Sequence, residues 1–137
     1  MHHPRSQDEK SNLVSSVHQP LTLGRRCDAA AQAEASALLT SILSQRPITQ
    51  ILHAGGVLHD APLARQTPEL LREVLAPKAY GARNIEQHLP LLGLSAYVAF
   101  SSIASLTGPA GTLNYAAANA CLDAQAAELQ AAGGILS

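Results

Sequence analysis

Two short apolar segments constrain this chain more than anything else in it. Ile48-Thr49-Gln50-Ile51-Leu52-His53-Ala54 halts at Gly55-Gly56, and Leu94 to Phe100 includes the apolar run Tyr97-Val98-Ala99-Phe100. Runs of that length bounded by turn residues read as strands. An apolar run without alternation is expected of a strand buried on both faces of a parallel sheet. Helical patterns lie before, between and after them. Asp28 is read as the N-cap of a helix from Ala29 to Ser44, with Leu38, Leu39, Ile42 and Leu43 towards one side and Pro47 as its stop. Thr67-Pro68-Glu69 starts a second helix with a capping Thr, Pro at the first helical position and an early acid. It runs to about Leu89, and Pro77 should kink or split it. A third helix spans about Thr112 to Ala132 and ends at Gly133-Gly134. Val57 to Gln66 is expected as a loop or short helix, and Ser101 to Gly111 as a loop of small residues. Helix, strand, helix, strand, helix argues for a layered α/β fold with right-handed crossovers.

Composition narrows the function classes. Of 137 residues, 47% are apolar, which is ample for a core. The 25 alanines suit helices packed closely on something flat. No stretch approaches the roughly 20 apolar residues needed to span a bilayer. A net charge of −1 leaves no electrostatic footprint for nucleic acid or an anionic membrane. Cys27 and Cys121 cannot build a disulfide framework, and without a signal peptide the expected compartment is the cytoplasm. Residues 1–26 are polar and aperiodic and read as a flexible leader, with residues 27–137 as the folded part. His2-His3 is read as part of that solvated tail, and no metal site is expected.

In an α/β sheet, ligands bind beyond the carboxyl ends of the strands. That rule selects His53-Ala54-Gly55-Gly56, where small residues let a flat ligand touch the backbone, and Ser101-Ser102. Tyr115 and Asn119 follow, four apart and so on one helix face. Together with Lys78 this set suits carbonyl reduction. Tyr can act as the acid for a developing alkoxide if a cation lowers its pKa of about 10. Ser102 can hold the carbonyl oxygen, Lys78 can supply the cation, and Asn119 can hold a water or backbone group in a proton relay. Each residue also has a bland reading: a half-buried helix Tyr, a loop Ser, a surface Lys.

Residues 48–134 resemble the ketoreductase domain of type I polyketide synthases and multidomain fatty acid synthases, within the short-chain dehydrogenase/reductase superfamily. The resemblance rests on His53-Ala54-Gly55-Gly56-Val57-Leu58, Ala76-Pro77-Lys78 with Gly81 and Asn84, Phe100-Ser101-Ser102-Ile103-Ala104, and Gly108-Pro109-Ala110-Gly111 leading into Asn114-Tyr115-Ala116-Ala117-Ala118-Asn119-Ala120. It implies a Rossmann-like doubly wound parallel sheet in three α/β/α layers. It implies NADPH as cofactor and a β-ketoacyl group on an acyl carrier protein as substrate. Ser102 would orient the carbonyl and Tyr115 donate the proton. Lys78 and Asn119 would complete the tetrad. Asp28, His53, Ala54 and Gly55 would lie against the cofactor. Asp60 falls where one stereochemical class carries its marker Asp, with His59 replacing the usual Asp before it, and Thr107 stands where the opposite class tends to have Trp.

The sequence also departs from the family. No Gly-x-Gly-x-x-Gly occurs among its nine glycines. That turn normally carries the cofactor pyrophosphate at a helix N-terminus. The sheet is therefore expected to be partial, without the first βα unit and without the C-terminal strands. Arg25-Arg26 reads either as leader or as a contact for the cofactor 2′-phosphate. Alongside the reductase stand two further readings. One is a non-catalytic remnant acting as a structural or interaction piece. The other is a split domain completed by other synthase domains or a complementing chain.

Overall fold

The computed structural model describes residues 23–133. The leader, apart from residues 23–26, and the end of the chain from Gly134 lie outside the described residues. The order is α1 (Gln32–Leu43), β1 (Gln50–His53), α2 (Pro68–Leu75), a π turn (Ala76–Tyr80), α3 (Gly81–Glu86), β2 (Ala96–Ala99), α4 (Ala104–Thr107) and α5 (Leu113–Ala131). Short 3₁₀ turns occupy Leu63–Arg65 and Leu89–Leu91. The strands are parallel, with Ile51 opposite Tyr97 and His53 opposite Ala99. The α/β class with a parallel sheet follows the sequence reading.

The second helix shows why Pro77 matters. Thr67 caps it, its hydroxyl accepting the Leu70 N–H at 3.2 Å. Pro77 lacks an N–H and cannot continue the i→i−4 ladder. The ladder widens into the π turn there and recovers at Gly81. A wide turn at a proline displaces the side chains after it, and such insertions often coincide with functional positions.

Three local expectations need correction. The first helix starts at Gln32, not Ala29. Asp28 Oδ1 accepts the Ala30 N–H at 2.9 Å, and Ala31 N–H reaches the Asp28 carbonyl at 3.0 Å. This side-chain turn competes with the first helical turn and wins. The 101–111 loop contains the one-turn helix α4, closed by Gly108 at φ +53°. Burial of the second strand is also one-sided. Tyr97 is 0% exposed, but Phe100 just beyond the strand is 52% exposed and Leu52 on β1 is 65% exposed.

The covered face carries the core. Tyr97, Leu92 and Leu94 pack with Leu43 from α1, Ile51 from β1, Ile85 from α3 and Leu129 from α5. Alanine allows the closest approaches: Ala79, Ala82, Ala116 and Ala118 are buried. Gln125 of α5 donates to the Ala79 carbonyl of the π turn at 3.1 Å. That contact fixes α5 against the segment that carries Lys78.

Candidate active site

The site is built at the carboxyl end of β1. His53, the last strand residue, turns its ring inward, and its Nε2 lies 3.3 Å from the Lys78 carbonyl. A carbonyl only accepts, so Nε2 carries the proton. Burial holds the imidazole pKa below its ordinary value, and the Lys78 charge adds to that, against the opposing pull of the Lys78 and Pro77 carbonyls. The next residues lie flat on the π turn. A Cβ on Gly55 would sit 3.0 Å from the Pro77 carbonyl oxygen, and one on Gly56 would sit 3.3 Å from Lys78 Cε. At Gly55 the neighbour is backbone, so glycine suits this close approach.

Lys78 is 5% exposed. Its ammonium donates to the Phe100 carbonyl at 2.8 Å and lies 5.5 Å from the centroid of the Tyr115 ring. That separation is within cation–π reach of about 6 Å. The Phe100 carbonyl is free to accept because the strand ladder stops at Ala99. Tyr115 is half-buried in the first turn of α5. One turn on, Asn119 is 0% exposed and donates from Nδ2 to the Tyr115 carbonyl at 2.8 Å. Its Oδ1 is buried with no hydrogen-bond partner among the described residues. A buried amide oxygen left in that state costs free energy, which singles it out as a free acceptor at the site.

Lys78, Tyr115 and Asn119 are thus brought together from the π turn and α5. Ser102 enters through the chain: it follows the residues whose carbonyl anchors Lys78, and its half-buried hydroxyl accepts the Ala104 N–H at 3.2 Å. Ser101 Oγ lies 3.5 Å from the Asn119 carbonyl, joining the same loop to α5. Ala54 is exposed beside the half-buried Gly55. The His53 side chain faces the π turn instead of the surface. Asp28 is exposed, and the segment after it is held to α3 by Asn84, whose Nδ2 donates to the Ala29 and Ala30 carbonyls at 2.9 and 3.0 Å. Asp60 is exposed on the loop after β1. Two bonds carry that loop to the start of α5: Asn114 Nδ2 to the His59 carbonyl at 2.7 Å, and Ala61 N–H to the Gly111 carbonyl at 2.8 Å. Asn114 was not among the expected site residues. Its signal was an Asn, a poor helix former, directly before Tyr115 inside a good helix.

An apolar groove lies elsewhere among the described residues. It encloses about 450 Å³ beside β1 and α1, lined by Leu38, Leu39, Ile42, Ile48, Ile51 and Ile85 among others, and includes none of Lys78, Ser102, Tyr115 and Asn119.

At the strand ends of this parallel α/β unit a buried lysine thus lies against a helix tyrosine. The KR domain family matches residues 5–135, so the chain belongs to that family. The match takes in most of the segment read as a leader. Among curated relatives, the spectinabilin polyketide synthase system protein NorB of Streptomyces orinoci is 44% identical over 107 residues, covering 78% of this chain and 5% of that protein. Polyketide synthase GfsA of Streptomyces halstedii is 46% identical over 107 residues, covering 78% of this chain and 1% of that protein. Among solved structures, the ketoreductase PlmKR1 from the first module of phoslactomycin biosynthesis in Streptomyces sp. HK803 superposes with a TM-score of 0.75 at 35% identity, covering 80% of this chain. An N-terminal ketoreductase from the macrolactin assembly line gives 0.80 at 27% identity, covering 96%. The chain spans 25% and 28% of those two solved chains.

Proposed function

We propose that this chain carries the ketone-reducing site of a β-ketoacyl thioester reductase in polyketide biosynthesis. The observation that carries the reading is the buried Lys78 ammonium facing Tyr115 at 5.5 Å while held by the Phe100 carbonyl. Ser102 hydrogen-bonds the ketone oxygen and orients it toward Tyr115. The phenol proton passes to that oxygen as its charge grows, and the Lys78 ammonium stabilises the tyrosinate left behind. Asn119 Oδ1 supports the return of a proton to Tyr115 by accepting from a relay group. The substrate is a β-ketoacyl group on an acyl carrier protein, other synthase domains are partners, and the setting is the cytoplasm. Among the described residues no helix is long and apolar enough to cross a membrane.

The cofactor in this reading is NADPH, which when bound supplies the hydride to the ketone carbon. The residues present fit its nicotinamide end. Ala54 and Gly55 are small residues just past the end of β1, a larger residue at Gly55 would meet the Pro77 carbonyl, and Gly56 lies against Lys78. The second reading is a non-catalytic remnant or split-domain fragment acting only as a structural or interaction piece.

Two measurements separate these readings. NADPH binding is followed by calorimetry, and NADPH oxidation is followed with a β-ketoacyl thioester or decalone. The reductase reading expects saturable binding and turnover that falls about 10²-fold or more in Tyr115→Phe. Equal rates for wild type and Tyr115→Phe overturn it, and absence of binding supports the second reading.

A further inference from the structure

We propose that Gln125 is a positioning residue for Lys78: together with His53 it grips the π turn and holds the lysine in register with Tyr115. π turns are rare and occur mostly as single insertions in α-helices. A helix advances about 100° per residue, so a turn that slipped back to α spacing would swing the side chains beyond it by about that angle. Lys78 is mounted on such a turn, Ala76–Tyr80. Two side chains from outside the helix oppose the slip. His53 at the end of β1 donates from Nε2 to the Lys78 carbonyl at 3.3 Å. Gln125 on α5 donates from Nε2 to the Ala79 carbonyl at 3.1 Å. Adjacent carbonyls of the turn are thus held from a strand and from another helix.

Packing alone does not call for an amide at this position. Gln125 Oε1 is buried with no hydrogen-bond partner among the described residues, a cost that a methionine of similar length would avoid. What the amide supplies is the bond to the turn, and its place on α5 gives that bond a consequence. Tyr115 lies ten residues earlier on the same helix, about 15 Å along the axis, so Gln125 contacts no reacting group. One helix therefore carries both the phenol and the grip on the backbone next to Lys78. The Phe100 carbonyl holds the ammonium at 2.8 Å. The lysine is fixed at both ends, and its 5.5 Å separation from the ring follows from that. The kinetic readout below rests on the reductase reading; the spectroscopic readout does not.

The test uses the full chain with Gln125→Met, which keeps the bulk and loses the donor. The chain has two lysines, Lys10 and Lys78, so isotope labelling of lysine alone gives signals that Lys10→Arg assigns by NMR. The Lys78 ε-methylene protons should lie upfield in the ring current of Tyr115, and Tyr115→Leu marks complete loss of that shift. Gln125→Met should lose most of it. In ketone reduction kcat should fall about tenfold or more, the scale of a sub-ångström misplacement, with KM for NADPH and ketone unchanged and a melting temperature no lower than that of the wild type. A merely structural role would leave both the Lys78 signal and kcat per folded molecule unmoved. A wild-type Lys78 signal in Gln125→Met overturns the proposal, as does a wild-type kcat or absence of the upfield shift from the wild type. Gln125→Glu, whose carboxylate cannot donate, stands in if the methionine variant fails to fold, and failure of both to fold overturns the proposal by assigning Gln125 to stability alone. If the wild type does not reduce the ketone, the reductase reading fails and the Lys78 signal alone decides the role of Gln125.

Discussion

The two ends of the small sheet are built on different principles. At the carboxyl end, Lys78, Asn114 and Asn119 are buried polar groups held by named bonds to carbonyls and amides. Below it, Tyr97, Leu92 and Leu94 pack with side chains from α1, α3 and α5. The first end is costly in stability, because every buried polar atom must be satisfied, and Asn119 Oδ1 has no partner among the described residues. The second supplies the apolar burial that offsets that cost. The candidate site and the apolar core are thus spatially separate in this molecule, and each should survive damage to the other.

Lys78→Met gives the largest expected effect. Removing the cation beside Tyr115 should lower ketone reduction by about a hundredfold or more. Thermal stability should change much less, because the lost bond to Phe100 is partly offset by the relief of a buried charge. A melt shifted as far as that of a core cavity variant would break the separation. Leu94→Ala tests the other end. It should cost ~2–4 kcal/mol in urea unfolding, while activity per folded molecule stays at wild type.

A pH effect comes next, at the border between the two regions. The His53 pKa lies below its ordinary 6.5 in the folded state, chiefly through burial. The unfolded chain then binds the proton more readily. The stability His53 contributes is complete above pH 6.5 and is lost as the pH falls through the folded value. Urea midpoints at pH 7.5 and 5 should show the drop, and His53→Gln should flatten it. An equal slope in that variant assigns the pH dependence to other groups. The smallest effect is expected from Tyr97→Phe. The Tyr97 hydroxyl is fully buried without a partner among the described residues, and burial raises its pKa. Removing it should stabilise the chain by about 1 kcal/mol with no change in activity. Destabilisation would reveal a partner for that hydroxyl.

Much of the fold was legible because its signals are local. Thr67-Pro68-Glu69 caps a helix wherever it folds, since the capping bond spans three residues. Pro77 breaks an α ladder regardless of surroundings. Asp28 misled because its carboxylate satisfies a nearer amide, Ala30, and Asx turns compete with helix starts in ways sequence alone does not rank. Phe100 misled because an apolar run signals burial without naming the element that covers it; among the described residues it is 52% exposed. In the site, Tyr115 and Asn119 were legible from their spacing, since one helical turn brings them together. Asn114 was not, because its partner, the His59 carbonyl, lies on another loop.

The sequence by itself determined the alternation of helix and strand, the break at Pro77 and the chemical identities at Lys78, Ser102, Tyr115 and Asn119. These rest on backbone propensity and on side-chain type, which act within a few residues. Only the tertiary structure decided that Lys78 meets Tyr115, that the Phe100 carbonyl anchors its ammonium, and that Asn114 bridges α5 to the loop after β1. Those contacts depend on how parallel strands place separate segments at one end of a sheet. Distances across such an end are set by packing, which no local pattern encodes.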